Sequence, residues 1–393
     1  MNITINRSEL SDAVSRATVI TPETSPIKEL EGVLLETDAA ANSLTVTATN
    51  MEVALEQRLA CDTAEDDAMV VNVDLFNAML KKLTGETVTL HRRSDDPVLT
   101  IESGEAMYCL PALKRGNFPH TEIAFPDDTI PVTGVPSLVR RSTFAVLAKN
   151  SDPLLKCVNL RFTRDGINAV GSDGLRLVST KGDKSSTGDV SLLVPATSLN
   201  VLARICTDQD AFRVGTTGKS IVFSKPGMTY TARIMEAEYV DTDRIIGSLK
   251  NTFTVLTDIA ELWSALRYVS AADPGGRVRL RFDGLKLSFF AIGEFGKASK
   301  TIEVTPLTGA PSGEYWQATG KLDDCLHALS GTATLGVAQN GLPTLSTEES
   351  FYFQPSVRPP QPKAAPKQEP AESSAPEAKA KAEPKKRRAK KAA

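Results

Sequence analysis

Residues 68–83 read Ala68-Met-Val-Val-Asn-Val73 and then Asp74-Leu-Phe-Asn-Ala-Met-Leu-Lys-Lys-Leu83. The first six are mostly apolar and rich in valine, as a strand requires. The next ten open on an acidic cap. At 100° per residue they set Leu75, Met79 and Leu83 on one face and Lys81 opposite. Three strand-like runs follow, Thr87–His91, Val98–Glu102 and Ala106–Leu110. The same order stands upstream. Asn2–Asn6 alternates, and Arg7–Ala17 carries Leu10, Ala13, Val14 and Ala17 at helical spacing. Gly32–Glu36, Ser43–Thr49 and Glu52–Leu59 then read as strands. Strand–helix–strand–strand–strand therefore occurs twice, in roughly 60 residues each.

The unit continues downstream. Thr129–Val132 leads into a helix over Pro136–Ala148, with the proline early, where a missing N–H costs nothing. Strands follow at Val158–Phe162, Gly166–Gly171 and Leu175–Thr180. Ser191–Val194 enters a helix at Ala196–Cys206, succeeded by Ala211–Val214, Ser220–Phe223 and Thr229–Ile234. A third round starts at Thr252–Leu256. Its helix opens on a capping-box pattern, Asp258-Ile-Ala-Glu261, with Leu262, Trp263, Leu266 and Val269 on one face. Arg277–Phe282, Lys286–Phe290, Ala298–Val304, Glu314–Ala318, a helix at Lys321–Leu329 and weak strands to Phe353 complete it. The strand cores at Leu44, Ile167 and Leu287 are 123 and 120 residues apart, and the corners at Val73, Val194 and Ala318 are 121 and 124 apart. A period near 120 predicts an α+β chain of three tandem domains, each internally doubled. A solenoid needs a far shorter period. The expected boundaries are 1–122, 123–248 and 249–358, followed by a basic tail at 359–393.

The 393 residues carry 45 Lys+Arg and 48 Asp+Glu, a formal net charge of −3. That balance is uneven along the chain. The tail holds ten Lys/Arg and four Glu, a net of +6, which leaves residues 1–358 at −9. With no aromatic or branched aliphatic residue the tail cannot bury enough surface to fold, and disorder is expected there. Its Lys385–Lys391 run suits electrostatic contact with nucleic acid, or serves as a solubilising extension; both readings stand. A 41% hydrophobic composition excludes wholesale disorder. No apolar run reaches the ~18 residues of a membrane span, and the N-terminus lacks a signal-peptide core. Five scattered cysteines (61, 109, 157, 206 and 325) and three histidines (91, 120 and 327) give no zinc or disulfide spacing. The cysteines read as small buried hydrophobes in a reducing cytoplasm.

Catalytic constellations are scarce. Gly-x-Gly-x-x-Gly, Gly-x-x-x-x-Gly-Lys-Ser/Thr, Gly-x-Ser-x-Gly and His-Glu-x-x-His are absent. Asp96, Asp127, Asp128 and Asp173 lie near turns, where capping is the ordinary role. Neither an enzyme nor a resident cofactor is expected. The helices instead turn basic groups outward. Arg140 opposes Leu138, Val139 and Ala145; Arg204 opposes Leu199, Leu202, Ala203 and Cys206. Asp324 and His327 oppose Leu322, Cys325, Leu326 and Leu329. Arg16, Lys82, Arg141 and Arg267 flank the apolar stripes. Taken singly each is an ordinary surface residue. Their recurrence on equivalent helices of a repeat points to an electrostatic surface.

Several segments together resemble the bacterial replicative sliding clamp, the beta subunit of DNA polymerase III. The opening Met-Asn-Ile-Thr-Ile-Asn-Arg-Ser-Glu-Leu is similar to that family's first strand and helix. Glu29-Leu-Glu-Gly-Val-Leu-Leu-Glu36 and Leu44-Thr-Val-Thr-Ala-Thr-Asn50 resemble its next two strands. The sharpest match is Ser172-Asp-Gly-Leu-Arg-Leu177, preceded by Leu154-Leu-Lys-Cys-Val158; Asn117-Phe-Pro119 and Val194-Pro195 also fit. The similarity runs from residue 1 to about 358.

The resemblance implies a head-to-tail homodimer, a ring of six domains with helices lining the hole and antiparallel sheets outside. Sequence-independent double-stranded DNA would thread it, and Arg16, Lys81, Lys82, Arg140, Arg141, Lys149, Arg204 and Arg267 would face the DNA. Partners would be the polymerase III catalytic subunit, a clamp-loader ATPase and other clamp-motif proteins, at the nucleoid in the cytoplasm. The implied partner-peptide pocket comprises Leu155, Ser172, Gly174, Leu175, Arg176, Leu177, Val240, Ile245, Val357 and Arg358. Without the resemblance, Leu155, Leu177 and Ile245 read as plain core. Leu175 replaces the family's common His, and Val240 and Ile245 stand where Pro and Val are usual. Gln354, Pro355 and Ser356 alter the usual chain end, and Ala196-Thr197 replaces a usual basic pair, which shifts DNA contacts toward Lys149, Lys156 or the tail. Those departures leave a second reading, a diverged mobile-element or phage-type homologue that competes with a host clamp. A third, an enzyme on the same scaffold, needs a polar cleft that the sequence does not display.

Overall fold

The computed structural model describes residues 1–93, 96–119, 125–147, 152–163, 166–182, 190–294 and 296–360. The tail expected at 359–393 lies outside the described residues from position 361 onward. Residues 1–358 form one compact unit.

The strand-to-helix corners are direct. Strand Asn2–Asn6 enters helix α1 (Arg7–Ala17) through Asn6, whose extended backbone ends the strand while its Oδ1 accepts the Glu9 N–H at 3.1 Å. The same device opens α2 (Val73–Leu80), where Asn72 Oδ1 accepts from Leu75 N at 3.0 Å. One residue thus serves as last strand residue and helix cap, and no loop is needed. Helices α3 (Val135–Thr143) and α4 (Ala196–Ile205) begin the halves of the second repeat. After the connecting helix α5 (Thr242–Ser248), α6 (Ile259–Ser270) and α7 (Thr319–Ala328) begin those of the third. Each of these six is preceded by a strand and followed by three, as the sequence pattern predicts, with a short extra strand, Asp62–Thr63 or Thr305–Thr308, closing the first half of the first and third repeats. The helices pack in pairs within each repeat, α1 on α2, α3 on α4 and α6 on α7. Among the described residues no helix is long and apolar enough to cross a membrane.

The strands form antiparallel sheets of thirteen, nine and four strands among the described residues. Two of these sheets continue from one repeat into the next by a single rule. The last strand of a repeat's first half pairs with the last strand of the following repeat's second half. Val53–Ala60 pairs with Met228–Arg233, setting Leu55 opposite Tyr230. Leu177–Lys181 pairs with Ser350–Phe353, setting Val178 opposite Tyr352. One apolar core runs through the first two repeats; a second fills the third and takes in Ala145 and Val178 from the second.

Some expectations need correction. Leu75 does not face inward: it is 51% exposed, whereas Phe76 and Leu80 are fully buried and Val73 nearly so. Phe76 offers more apolar area than Leu75, so the helix settles with the 73/76/80 stripe inward. Helix α3 ends at Thr143, short of the expected 148, which lies outside the described residues. Asp258 caps Ala260 N at 2.8 Å rather than Glu261 N. Cys109 is exposed on a sheet edge, while Cys61, Cys157 and Cys325 are buried as expected. Helix α5 was not anticipated, because seven residues give too little periodicity to read.

The face of α2 is testable by urea denaturation. Phe76→Ala is expected to cost about 3–5 kcal/mol, and Leu75→Ala no more than about 0.5 kcal/mol. A reversed order would return Leu75 to the core.

Candidate partner pocket and nucleic-acid face

The turn Ser172-Asp-Gly-Leu-Arg-Leu177 is held by its own side chains. Ser172 Oγ accepts from Gly174 N at 3.1 Å and donates to Arg176 O at 2.8 Å. Asp173 Oδ1 accepts the N–H groups of Leu175 and Arg176, both at 2.9 Å. Gly174 takes a φ of +85°, a region that penalises any side chain, and a Cβ there would lie 3.3 Å from Leu155 Cδ1. The short turn Leu154–Lys156 is therefore packed against this loop. Across from it, α5 is capped by Asp241 and tied to strand Cys157–Thr163 by a bidentate pair, with Arg161 Nη2 donating to Asp243 Oδ1 at 3.0 Å. Tyr239, just before α5, is half-buried beside Cys157 and the Ser172 backbone, and loss of solvent around it pushes its phenol up to about 12.

The residues expected in a partner pocket separate into two groups. Leu175, Val240 and Ile245 are 61%, 53% and 38% exposed, and Leu155 is half-buried. Each leaves apolar side-chain surface accessible. Leu177 is buried at 2% and Arg176 at 3%. Ser172 is buried as well, its hydroxyl spent inside the turn. Val357 and Arg358 lie on the third repeat: Val357 N donates to Trp316 O at 2.7 Å, and Arg277 Nη1 donates to Arg358 O at 2.9 Å.

Arg176 reaches across to the third repeat instead of toward solvent. Its Nη1 donates to Asp324 Oδ2 at 2.9 Å and to Lys321 O at 3.1 Å, and its Nη2 to Phe144 O at 2.6 Å. The guanidinium also lies 5.7 Å from the Phe144 ring centroid. Lys321 Nζ returns the contact by donating to the buried Asp173 Oδ2 at 2.7 Å. Tyr352 OH completes the junction by donating to Gln354 Oε1 at 2.7 Å. Burial works to raise the Asp173 carboxyl, but the Lys321 contact and the two backbone N–H groups bring it below its ordinary value. Sequence reading missed Lys321, Asp324 and Tyr352 as partners here. The Asp173–Arg176 spacing was visible, but its partners lie some 145 residues away in sequence.

The basic residues expected on the helix face also divide. Lys81, Lys82, Arg140, Arg204 and Arg267 are exposed. Arg16 is half-buried, with Nη1 donating to Gln57 Oε1 at 3.3 Å. Arg141 is committed to the junction, pairing with Glu349 at 2.9 Å and donating to Thr180 Oγ1 and Lys181 O. Lys149 lies outside the described residues. A shallow cleft of about 450 Å3 opens where α3, α4 and α7 meet, and Arg140, Arg204 and His327 line it. The largest described cleft, about 610 Å3 beside Asp127 and Asp128, gathers none of the expected site residues.

Comparison with known proteins agrees with this architecture. Residues 1–122 match the model of the N-terminal domain of the DNA polymerase III beta subunit, and residues 129–241 match that of its central domain. The chain belongs to the DNA polymerase III beta-subunit family, the sliding clamps. The beta sliding clamp of Chlamydia muridarum is 22% identical over 373 residues, covering 90% of this chain and 98% of that protein. That of Halalkalibacterium halodurans is 24% identical over 268 residues, 64% of this chain and 68% of the relative. In fold, the Bacillus subtilis DNA polymerase sliding clamp superposes with a TM-score of 0.83 at 19% identity, covering 91% of this chain and 99% of that one. Within this beta-subunit fold the Ser172–Leu177 turn, α5 and the 354–358 segment come from two repeats.

The junction is open to test by denaturation. Arg176→Ala removes a buried guanidinium that pairs with the buried Asp173 and the half-exposed Asp324, and is expected to cost about 3–5 kcal/mol. Asp173 has a folded pKa below its unfolded value of 3.8, so its contribution is complete above that value and fades as pH falls through the lower folded one. Asp173→Asn is therefore expected to flatten the acid limb of a stability–pH profile below about pH 4. An unchanged acid limb would remove Asp173 from this role.

Proposed function

We propose that the chain is a non-catalytic sliding clamp that closes with a second copy into a ring around duplex DNA and tethers polymerase to it. The reading takes three clamp domains at 1–122, 123–248 and 249–358, with 359–393 as a basic tail. The observation that carries it is the strand-pairing rule. Applied at both internal junctions, it leaves two strands that each have one edge unpaired among the described residues. Gly296–Glu303, last of the third repeat's first half, pairs only with Lys286–Gly293. The Ala106–Pro111 stretch, in the last strand of the first repeat's second half, pairs only with Val98–Ser103. These are the two roles the rule joins, so the third repeat of one copy fits the first repeat of another, head to tail. Two chains of three repeats then give six, with the same strand pairing at every junction.

The register follows from the internal junctions, where core-facing residues oppose each other two positions into the second-half strand: Tyr230 beyond Met228, and Tyr352 beyond Ser350. Tyr108 holds that position beyond Ala106 and packs on the core, as does Ala298 on the other edge. Ala298 would then oppose Tyr108 of the partner subunit, and Lys297 would oppose its Cys109. Outward-facing Arg and Lys on the helix side supply phosphate contacts without reading bases, so grip is weak and sliding free. Retention comes from closure. The half-buried Leu155 and the exposed Leu175, Val240 and Ile245 suit a short apolar peptide of the polymerase catalytic subunit and other clamp-binding proteins. A separate clamp-loader ATPase would open the ring, since the chain has no phosphate-binding loop motif. As a replication factor it would act at the nucleoid, in the cytoplasm.

Three measurements test this. After loading, the protein should stay on closed circular DNA and leave once the circle is linearised; equal loss from both would end the ring reading. Lys297→Cys should cross-link to the native Cys109 of a second copy under mild oxidation, closing a covalent ring, while Thr301→Cys should not. Leu175→Ser should weaken polymerase binding about tenfold with an unchanged melting temperature.

A further inference from the structure

We propose that the cleft between α3, α4 and α7 seats one backbone phosphate of the duplex and that His327 makes this contact strengthen as pH falls. The inference rests on the clamp reading and adds to it a site and a regulation. Arg204 forms no ion pair among the described residues. Arg140 has only a 3.9 Å approach to Asp208 and a hydrogen bond to Ser137 Oγ at 2.8 Å. Both guanidinium groups line the cleft, as does the imidazole of His327.

The one acid on the cleft wall is Asp324, and its charge is already engaged by Arg176 at 2.9 Å. The cleft therefore presents one cation with no ion pair among the described residues, a second held only by a 3.9 Å approach to Asp208, and one group that can become a third. Its remaining wall is mixed: Val139, Ala203 and Ala328 are apolar, Thr143 and Asn200 carry side-chain donors, and Phe144 adds a ring. The paired guanidinium groups, not the rest of the lining, favour an anion.

His327 is exposed at the rim yet fixed in place. Its ring packs 5.4 Å from the Trp263 ring, and Trp263 is held by donating Nε1–H to Asp323 Oδ1 at 2.9 Å. The groups facing it from the elements packed around it are Arg140 on α3, Arg204 on α4, Trp263 with Arg267 stacked at 5.2 Å on α6, and Asp323 and Asp324 on its own helix. Histidine is the side chain whose charge ordinarily changes across the physiological range. A phosphate in the cleft stabilises the protonated ring, and by linkage protonation tightens phosphate binding. The cleft sits at the seam that Arg176 and Asp324 lock, so its three cations keep fixed spacing.

The test is binding of a short fluorescent duplex by the full chain at low salt, near pH 6 and near pH 8. Wild type should bind about fivefold tighter at the lower pH. His327→Gln should match wild type at pH 8 and lose the pH dependence, and His327→Arg should bind at both values as wild type does at pH 6. Arg204→Ala should weaken binding at both and lower the slope of log K against log salt by about one. Sulfate, whose charge is the same at both values, should compete less at pH 8 than at pH 6. A pH effect that survives in His327→Gln, or wild-type binding indifferent to pH, overturns the proposal while normal retention on circular DNA leaves the clamp reading intact. Loss of retention on circles overturns both.

Discussion

Every open sheet edge carries a row of backbone N–H and C=O groups that must find a partner or stay in water, and this chain resolves that demand between repeats. A repeat of two halves makes more strands than it can pair within itself. Each first half therefore hands its last strand to the second half of the next repeat, as Leu55 does with Tyr230 and Val178 with Tyr352. The core follows the hydrogen bonds, because strands in register bring their buried faces together. Val178 consequently belongs to the core of the third repeat although its sequence neighbours belong to the second.

A second constraint sharpens the same seam. Burying Arg176 and Asp173 is costly unless each charge is matched, and the matching groups, Asp324 and Lys321, come from the opposite repeat. The two pairs cross one another, so rotating either repeat would break both and leave Asp173 and Arg176 only each other, at 3.2 Å. This network sits between the apolar surface around Leu175 and the cationic cleft of α3, α4 and α7. It stiffens both by the same contacts, and it explains why Arg176 is unavailable to a partner peptide.

Much of this was legible in advance. The alternation of strand and helix periods, with caps at Asn6 and Asn72, encodes local structure that each segment favours by itself, and its recurrence near 120 residues exposed the repeat. Faces were harder to read. Leu75 and Phe76 are neighbours on α2, both apolar, and only the room beneath the helix decides which is buried. The basic residues were expected on one face as a class, but Arg141 and Arg204 look alike in sequence. One meets Glu349 across the junction, and the other meets solvent.

The sequence by itself determined the unit, its sixfold recurrence and the acidic body with its basic extension, because periodicity, capping and charge are properties of neighbouring residues. Tertiary structure alone decided which strands stay unpaired, that Arg176 locks two repeats together, and that Arg140, Arg204 and His327 share one cleft. Those facts depend on distances between residues far apart in the chain, set by strand register and helix packing, on which local composition carries no information.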